Sequence, residues 1–421
     1  MTIPPGYWPS RWPGEDGGPA RRQAPHAAPG LDLRSGDRLA VTSRLAIAST
    51  MVVLREPGEV YLLCHTGGED AVSWVEQLDP HTLEPLRRSP DLPGGPTWPG
   101  GLAAHANGTL YVVFGRFAHR LTPGLDVITS QELPRARPYN SFVILPDGTL
   151  VTKDFAGVRP GHDAADDLGP SELVALEPDR LRIVSRRVLD EPSIARLSAD
   201  RDLIYVVGDT SLLRVRWNGS SLTPDGDFRA PYRTLPGQTY GWDAVIDAGA
   251  AWFLDNGAGS ERYAGSFRGL TGSAAPLHLV RVGLEDGAVA LTEICGLNGG
   301  LVANPPAVDA DRRIVVGYDS GHGEVAAFRF DEEGRTERLW RRPMNHAMHP
   351  LRFPVTGELV LADFDTTRGA EQIVVVDIET GGELARADTG SPVQSVLFAA
   401  PGFERDLYVC SFTTVSRIFV R

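Results

Sequence analysis

The chain has a single lysine, Lys153, three cysteines and four methionines among 421 residues, and it has no long apolar run. Each scarcity excludes something. A helix needs roughly 20 apolar residues to cross a bilayer, so the sequence predicts no membrane span and no membrane partner. Cys64, Cys295 and Cys410 are odd in number and far apart, which argues against a disulfide framework and against a cysteine metal motif. With 41 basic residues against 54 acidic ones the net charge is −13, which opposes the phosphate-neutralising surface that nucleic-acid binding needs. Convincing helical periodicity is absent, and a parallel α/β sheet is disfavoured with it. The N-terminus lacks the apolar segment of a secretory signal, so the expected compartment is the cytoplasm.

Because Lys153 is the only lysine, every other residue in the basic count is arginine. That bias fits a GC-rich bacterial genome, and secondary metabolism is the expected setting. It also sets Lys153 apart, because arginine cannot serve as a Schiff-base amine or an easily deprotonated base.

What the chain does have is a repeated hairpin. In Asn140 to Phe155 an apolar strand runs into a Pro-Asp-Gly turn, where Gly148 supplies the positive φ of a tight turn, and a second strand ends in Lys153 and Asp154. Seven more hairpins recur, with turns at Pro57-Gly58 and Asn107-Gly108, near Asp200, Gly249 and Asp311, at Thr356-Gly357, and near Phe403. Turns roughly 40 to 60 residues apart match propeller blades. Most intervals hold two further strand candidates, such as Ser171 to Leu176 with Arg182 to Val188, which gives four strands per blade. The last blade has three strands of its own, Val393 to Ala399, Asp406 to Ser411 and Val415 to Val420. Its outer strand is therefore expected from the N-terminus, around Asp37 to Thr42, so that no sheet edge is left open. The expected fold is all-β, a single propeller over residues 37–421 with eight blades, or seven if one weak hairpin is decorative. Residues 1–36, rich in Pro, Gly and Arg, are expected as a flexible or surface-draped tail.

In such a fold the starts of the inner strands and the ends of the second strands meet at one mouth of the central channel. The insertions Gly157 to Pro170 and Gly257 to Ala275 belong to the same face, where long loops over a rigid scaffold commonly bind ligands. The oxygens of Asn140, Glu191, Asp243 and Asn304 are candidate ligands for a hard divalent cation such as Ca²⁺; the alternative is that each caps nearby backbone. His346 and His349 are candidate proton-transfer groups, and turn or packing roles are their alternative. Lys153 and Asp154 are candidate catalytic groups or a structural ion pair. Arg116 is a candidate anion clamp, and Tyr139, Tyr240 and Trp242, with Trp98 and Phe155, are candidate apolar walls for an organic ligand. No organic cofactor is expected.

The segment RPYNSFVILPDGTLVTKDF, Arg137 to Phe155, resembles the RPN-x-PDG-x-D signature of gluconolactonases, paraoxonases and strictosidine synthases. The resemblance implies a propeller whose lactonases hold a divalent cation in the central channel. By it Asn140 matches the metal-binding asparagine, whereas Glu191, Asp243 and Asn304 correspond by position alone. Tyr139, inserted between Pro138 and Asn140, departs from the pattern, and those families have six blades. Neither the recurrent tryptophan motif of pyrroloquinoline-quinone dehydrogenases nor WD-repeat signatures occur. The sequence thus predicts a propeller enzyme acting on a small organic molecule at the channel mouth, by lactone or ester hydrolysis or by a lyase or isomerase step. A non-catalytic ligand- or protein-binding propeller is the alternative.

Overall fold

The computed structural model describes residues 3–26, 30–158 and 169–421. All eight expected hairpins are present as antiparallel pairs. Six of them open separate four-stranded sheets, and the other two belong to one seven-stranded sheet. That sheet is two blades joined by a shared strand. The first half of Leu39–Leu54 pairs from Leu39 with Val420 to Leu45 with Thr414, and its second half pairs from Ser49 with Cys64 to Leu54 with Val60. The Val420 N–H donates to the Arg405 carbonyl at 3.0 Å, so residues 406–411 and 414–420 are two arms of one hairpin. The eighth blade is therefore Ala399–Pro401, these two arms, and residues 39–45 as its outer strand.

The propeller has eight blades and closes through the N-terminal strand, as expected. One boundary differs: the inner strand of the last blade starts at Ala399, because the residues before it line the channel mouth as irregular backbone. Inner strands of neighbouring blades pack against one another around the ring. The blades are nearly saturated with buried Val, Leu, Ile and Ala; Val60–His65 and Leu110–Phe114 are buried throughout. Strands covered on both faces read as continuous apolar runs, and the outer strands, such as Pro85–Arg88, are exposed and charged. Among the described residues helix is limited to 3-10 turns at Glu15–Gly17 and Ser260–Arg262, and no helix is long and apolar enough to cross a membrane.

The N-terminal segment departs from the expected tail. Residues 3–26 thread the channel, with Trp12, Arg21 and Gln23 almost wholly buried. The inner strand of a blade has one edge facing the channel, and its N–H groups there need acceptors. The segment supplies them: Trp12 O accepts from Leu54 N–H, Pro13 O from Ala104, Pro19 O from Ala199, Ala20 O from Ile246 and Gln23 O from Arg352, all at 2.7 to 2.9 Å. The Tyr7 hydroxyl adds a bond with the Ile144 N–H at 3.0 Å. Its proline richness suits this task, because proline presents a carbonyl without adding an N–H that must itself be satisfied. These bonds fall on inner strands at or near their C-terminal ends, so the segment closes the channel from that side.

Candidate functional site

Among the described residues the opposite mouth holds a cavity rather than a plug. A cavity of about 330 Å³ lies there, lined by Trp98, Trp242, Tyr263, Phe267, Phe398 and Phe412, with Arg196, Asn304 and His349 supplying polar groups. These residues precede inner strands or follow second strands, which is the convergence the repeat predicts. The insertion between the second and third strands of the fifth blade reaches across to the eighth. Tyr263 Oη donates to the Gln394 carbonyl at 2.6 Å, and Gln394 Oε1 accepts from the Phe267 N–H at 2.7 Å. This strap makes one wall. Trp98, stacked on Phe155 with ring centroids 4.2 Å apart, and Trp242, 6.4 Å from Trp98, make another.

His349 joins the cavity to the N-terminal segment. Its Nδ1 lies 3.0 and 3.1 Å from the two carboxylate oxygens of Asp16, its ring packs on Phe398 at 4.1 Å, and its Nε2 has no protein partner among the described residues. Burial alone would raise the Asp16 carboxyl, but His349 and Arg21 bring it below its ordinary value. Asp16 is therefore ionised, and an ionised carboxylate holds the proton of a neutral imidazole on Nδ1, leaving Nε2 as the basic nitrogen. Around this pair sits a closed charge network. Arg21 donates to Asp16 at 3.0 Å, to Glu15 at 2.7 Å, to Ser141 at 2.7 Å and to the Leu197 carbonyl at 2.7 Å. Arg196 donates to the carbonyls of Asn140 at 2.6 Å and Pro99 at 3.0 Å and lies 3.3 Å from Glu15.

The predicted cation ligands do not assemble as a set. Asn140 Nδ2 donates to the Ile194 carbonyl at 2.8 Å, and only its buried Oδ1 is left without a partner. Glu191 caps the turn at Thr210 and Ser211 and pairs with Arg229 at 3.3 Å. Asp243 accepts from the Arg196 N–H at 2.7 Å and lies 3.8 Å from its guanidinium. Asn304 spends its amide on the carbonyls of Ala347 and Val396. Both carboxylates already have an arginine partner. The backbone-capping alternative describes these four residues.

The other predicted residues divide. His349 and Trp242 line the cavity. His346 does not: it is fully buried, its Nδ1 accepts from the Ala362 N–H at 2.9 Å, and burial pulls its imidazole down to about 3. Lys153 and Asp154 do not pair through their side chains: the Asp154 carboxylate is held by Arg135 at 3.3 Å and Arg137 at 3.0 Å, and the Lys153 amine reaches only its backbone carbonyl. Arg116 pairs with Glu132 at 2.8 Å, and Tyr139 is buried with its hydroxyl toward the Arg135 N–H. Tyr240 borders a separate, smaller hollow of about 50 Å³ beside Ile194. Most of the Gly157 to Pro170 insertion lies outside the described residues. Sequence reasoning missed Glu15, Asp16, Arg21 and Arg196. The one available signal was the density of Trp, Arg and acid within the supposed tail.

Lys153 is buried, and its amine donates to the carbonyls of Asp154 at 2.9 Å and Ser193 at 2.8 Å. Burial pulls it from 10.5 down to about 8, against the opposing pull of Asp154 and Asp243. Between those two values the unfolded chain holds the proton that the folded chain has shed, so Lys153 makes stability rise with pH across that window. In urea unfolding, Lys153→Met is expected to flatten the rise between pH 8 and 10.5 by up to about 1.4 kcal/mol per pH unit relative to the wild type. Parallel curves would mean the amine is not desolvated.

No family model and no curated protein matches the chain. Among solved structures it is similar to a europium-containing methanol dehydrogenase, at 12% identity and a TM-score of 0.62, covering 95% of this chain and 89% of that one. A quinohemoprotein alcohol dehydrogenase from Pseudomonas putida HK5 superposes at 9% identity and a TM-score of 0.60, over 98% and 80% of the two chains. The Dos1 propeller follows at 10% identity and 0.56, over 90% and 94%. At these identities the likeness carries the fold alone: the chain is a β-propeller.

Proposed function

We propose that the protein is an enzyme acting on a small, largely apolar organic molecule at the channel mouth, with His349 as the group that moves the proton. The observation that carries this reading is the Asp16–His349 pair opening into an aromatic cavity of about 330 Å³. The volume suits a small ligand, and such pockets typically combine apolar walls with a few placed polar groups. Trp98, Trp242, Tyr263 and Phe398 would sandwich the ligand. Asp16 would fix the imidazole tautomer and balance the charge formed when Nε2 takes a proton. Among the described residues no cysteine lines the cavity and its one serine, Ser260, has no hydrogen-bonded base, so the reaction the geometry favours is lactone or ester hydrolysis by water deprotonated at Nε2. Enolisation of a carbonyl compound, the lyase or isomerase chemistry, needs the same base.

A specific observation favours the non-catalytic alternative: the donors of Arg196 and the amide of Asn304 go to backbone carbonyls, leaving little to stabilise an oxyanion. The test is a panel of aryl esters and lactones, with binding followed by tryptophan fluorescence. His349→Gln keeps an amide to donate to Asp16, and it is expected to cut turnover by about 10²- to 10⁴-fold while binding persists. Turnover unchanged in the variant would remove His349 from the chemistry. Quenching without turnover across the panel would leave a binding propeller.

A further inference from the structure

A second group of reactive side chains lies away from the His349 cavity, where the fifth blade meets the sixth. Cys295 is on the fifth blade's outer strand, Val289–Asn298, Asp319 ends the strand Ile314–Asp319, and His322 is in the turn after it. Cys295 Sγ is 3.4 Å from Asp319 Oδ2 and 3.8 Å from His322 Nδ1, and that nitrogen is 2.8 Å from the same carboxylate oxygen. Around a tetrahedral ion with metal–sulfur and metal–nitrogen or –oxygen distances near 2.3 and 2.0 Å, ligand atoms stand about 3.3 to 3.6 Å apart. The three atoms are within about half an ångström of those separations.

From this geometry we infer that Cys295, Asp319 and His322 form a binding site for one zinc-class divalent ion, with a fourth position open to water. The mixed sulfur, nitrogen and oxygen set suits zinc and its neighbours, and it disfavours calcium or magnesium, which take oxygen ligands. The carboxylate is already placed. Its other oxygen accepts from the His322 N–H at 3.0 Å and the Leu301 N–H at 3.3 Å, which fixes the plane in which Oδ2 is offered. Gly300 makes the room: a Cβ there would stand 2.4 Å from Oδ2. The approach is open, because Cys295 and His322 are only partly buried while Asp319 is wholly so. Binding would send the thiol proton to solvent and put the imidazole proton on Nε2, freeing Sγ and Nδ1 as donors.

The site also has a place in the architecture. The turn carrying His322 holds the strap over the cavity mouth, since Gly321 O accepts from the Gly269 N–H at 2.9 Å and from Arg268 at 3.3 Å. An ion would tie the outer strand of one blade, the turn of the next and the root of that strap together. This inference does not rest on the catalytic reading of His349.

The test is titration of the full-length, chelator-treated protein with Zn²⁺ against a chromophoric competitor, and with Co²⁺ followed optically. The expected result is one equivalent bound, with a thiolate-to-cobalt charge-transfer band and tetrahedral ligand-field bands. Cys295→Ser should abolish the charge-transfer band. His322→Ala should weaken Zn²⁺ binding at least about tenfold, because even groups that merely support a ligand commonly cost that much. Both side chains are partly exposed, so the variants are expected to fold, which circular dichroism checks. Binding of less than one equivalent, or a charge-transfer band that survives Cys295→Ser, would overturn the assignment.

Discussion

Arg21→Met is expected to destabilise the protein by about 3 to 5 kcal/mol, the usual cost of breaking a buried ion pair from one side. Arg21 is 1% exposed and serves two carboxylates, a hydroxyl and a backbone carbonyl. Methionine matches its apolar stem but leaves Glu15 and Asp16 without their main counter-charge in the channel. Arg196, 3.3 Å from Glu15, and His349, beside Asp16, limit the loss and place it toward the lower end of the range. Urea unfolding of the two proteins at neutral pH measures it. A companion carrying Glu15→Gln, Asp16→Asn and Arg21→Met together should recover much of the loss, because the penalty comes from unpaired charge rather than missing volume. A single-variant cost below about 1 kcal/mol would mean that water reaches the network and that the segment does not seal the channel.

The contrast between this segment and the blades explains what was legible. Each hairpin is a local object: the Asp147-Gly148 turn, with Gly148 at φ +88° and the Thr149 N–H bonded to Asp147, can be read from a few adjacent residues. Repetition then supplied the blade count and the closing strand. The plug has no local signal, because its acceptors meet N–H groups of Leu54, Ala104, Ala199, Ile246 and Arg352, which share a channel only once the ring has closed. Its Pro-, Gly- and Arg-rich composition reads as disorder when its partners are unknown. The cavity was half legible for the same reason. His349 and Trp242 were found from their places before inner strands, but Asp16, the partner that orients His349, lies 333 residues away in sequence. Strand position also overreached: Asn140 sits at the start of an inner strand, but Asp243, Asn304 and Glu191 lie two, three and seven residues before theirs, and the polar atoms of all four close backbone and arginine contacts between blades. The Cys295, Asp319 and His322 cluster was invisible because it draws on two blades at no motif spacing.

Acidification should destabilise the fold through His346. Burial holds this imidazole neutral, with a folded value of about 3 against an ordinary 6.5, so between the two the unfolded chain binds a proton that the folded chain does not. The stabilisation is present in full above pH 6.5 and is lost as pH falls toward 3, at up to about 1.4 kcal/mol per unit and on the order of 5 kcal/mol in all. His119, pulled down to about 4 by burial, adds to the slope in wild type and variant alike. His346→Leu separates the terms. At neutral pH it should be about 1 to 3 kcal/mol less stable than the wild type, because the Ala362 N–H loses its acceptor. Below pH 6.5 the gap should close and then reverse, since leucine has no proton to exclude while its edge-on neighbour Tyr318, centroid 4.4 Å away, still packs against an apolar group. Urea unfolding at successive pH values gives both curves. Curves that stay parallel down the acid limb would show that His346 is protonated in the folded protein, and the desolvated setting assigned to it would be wrong.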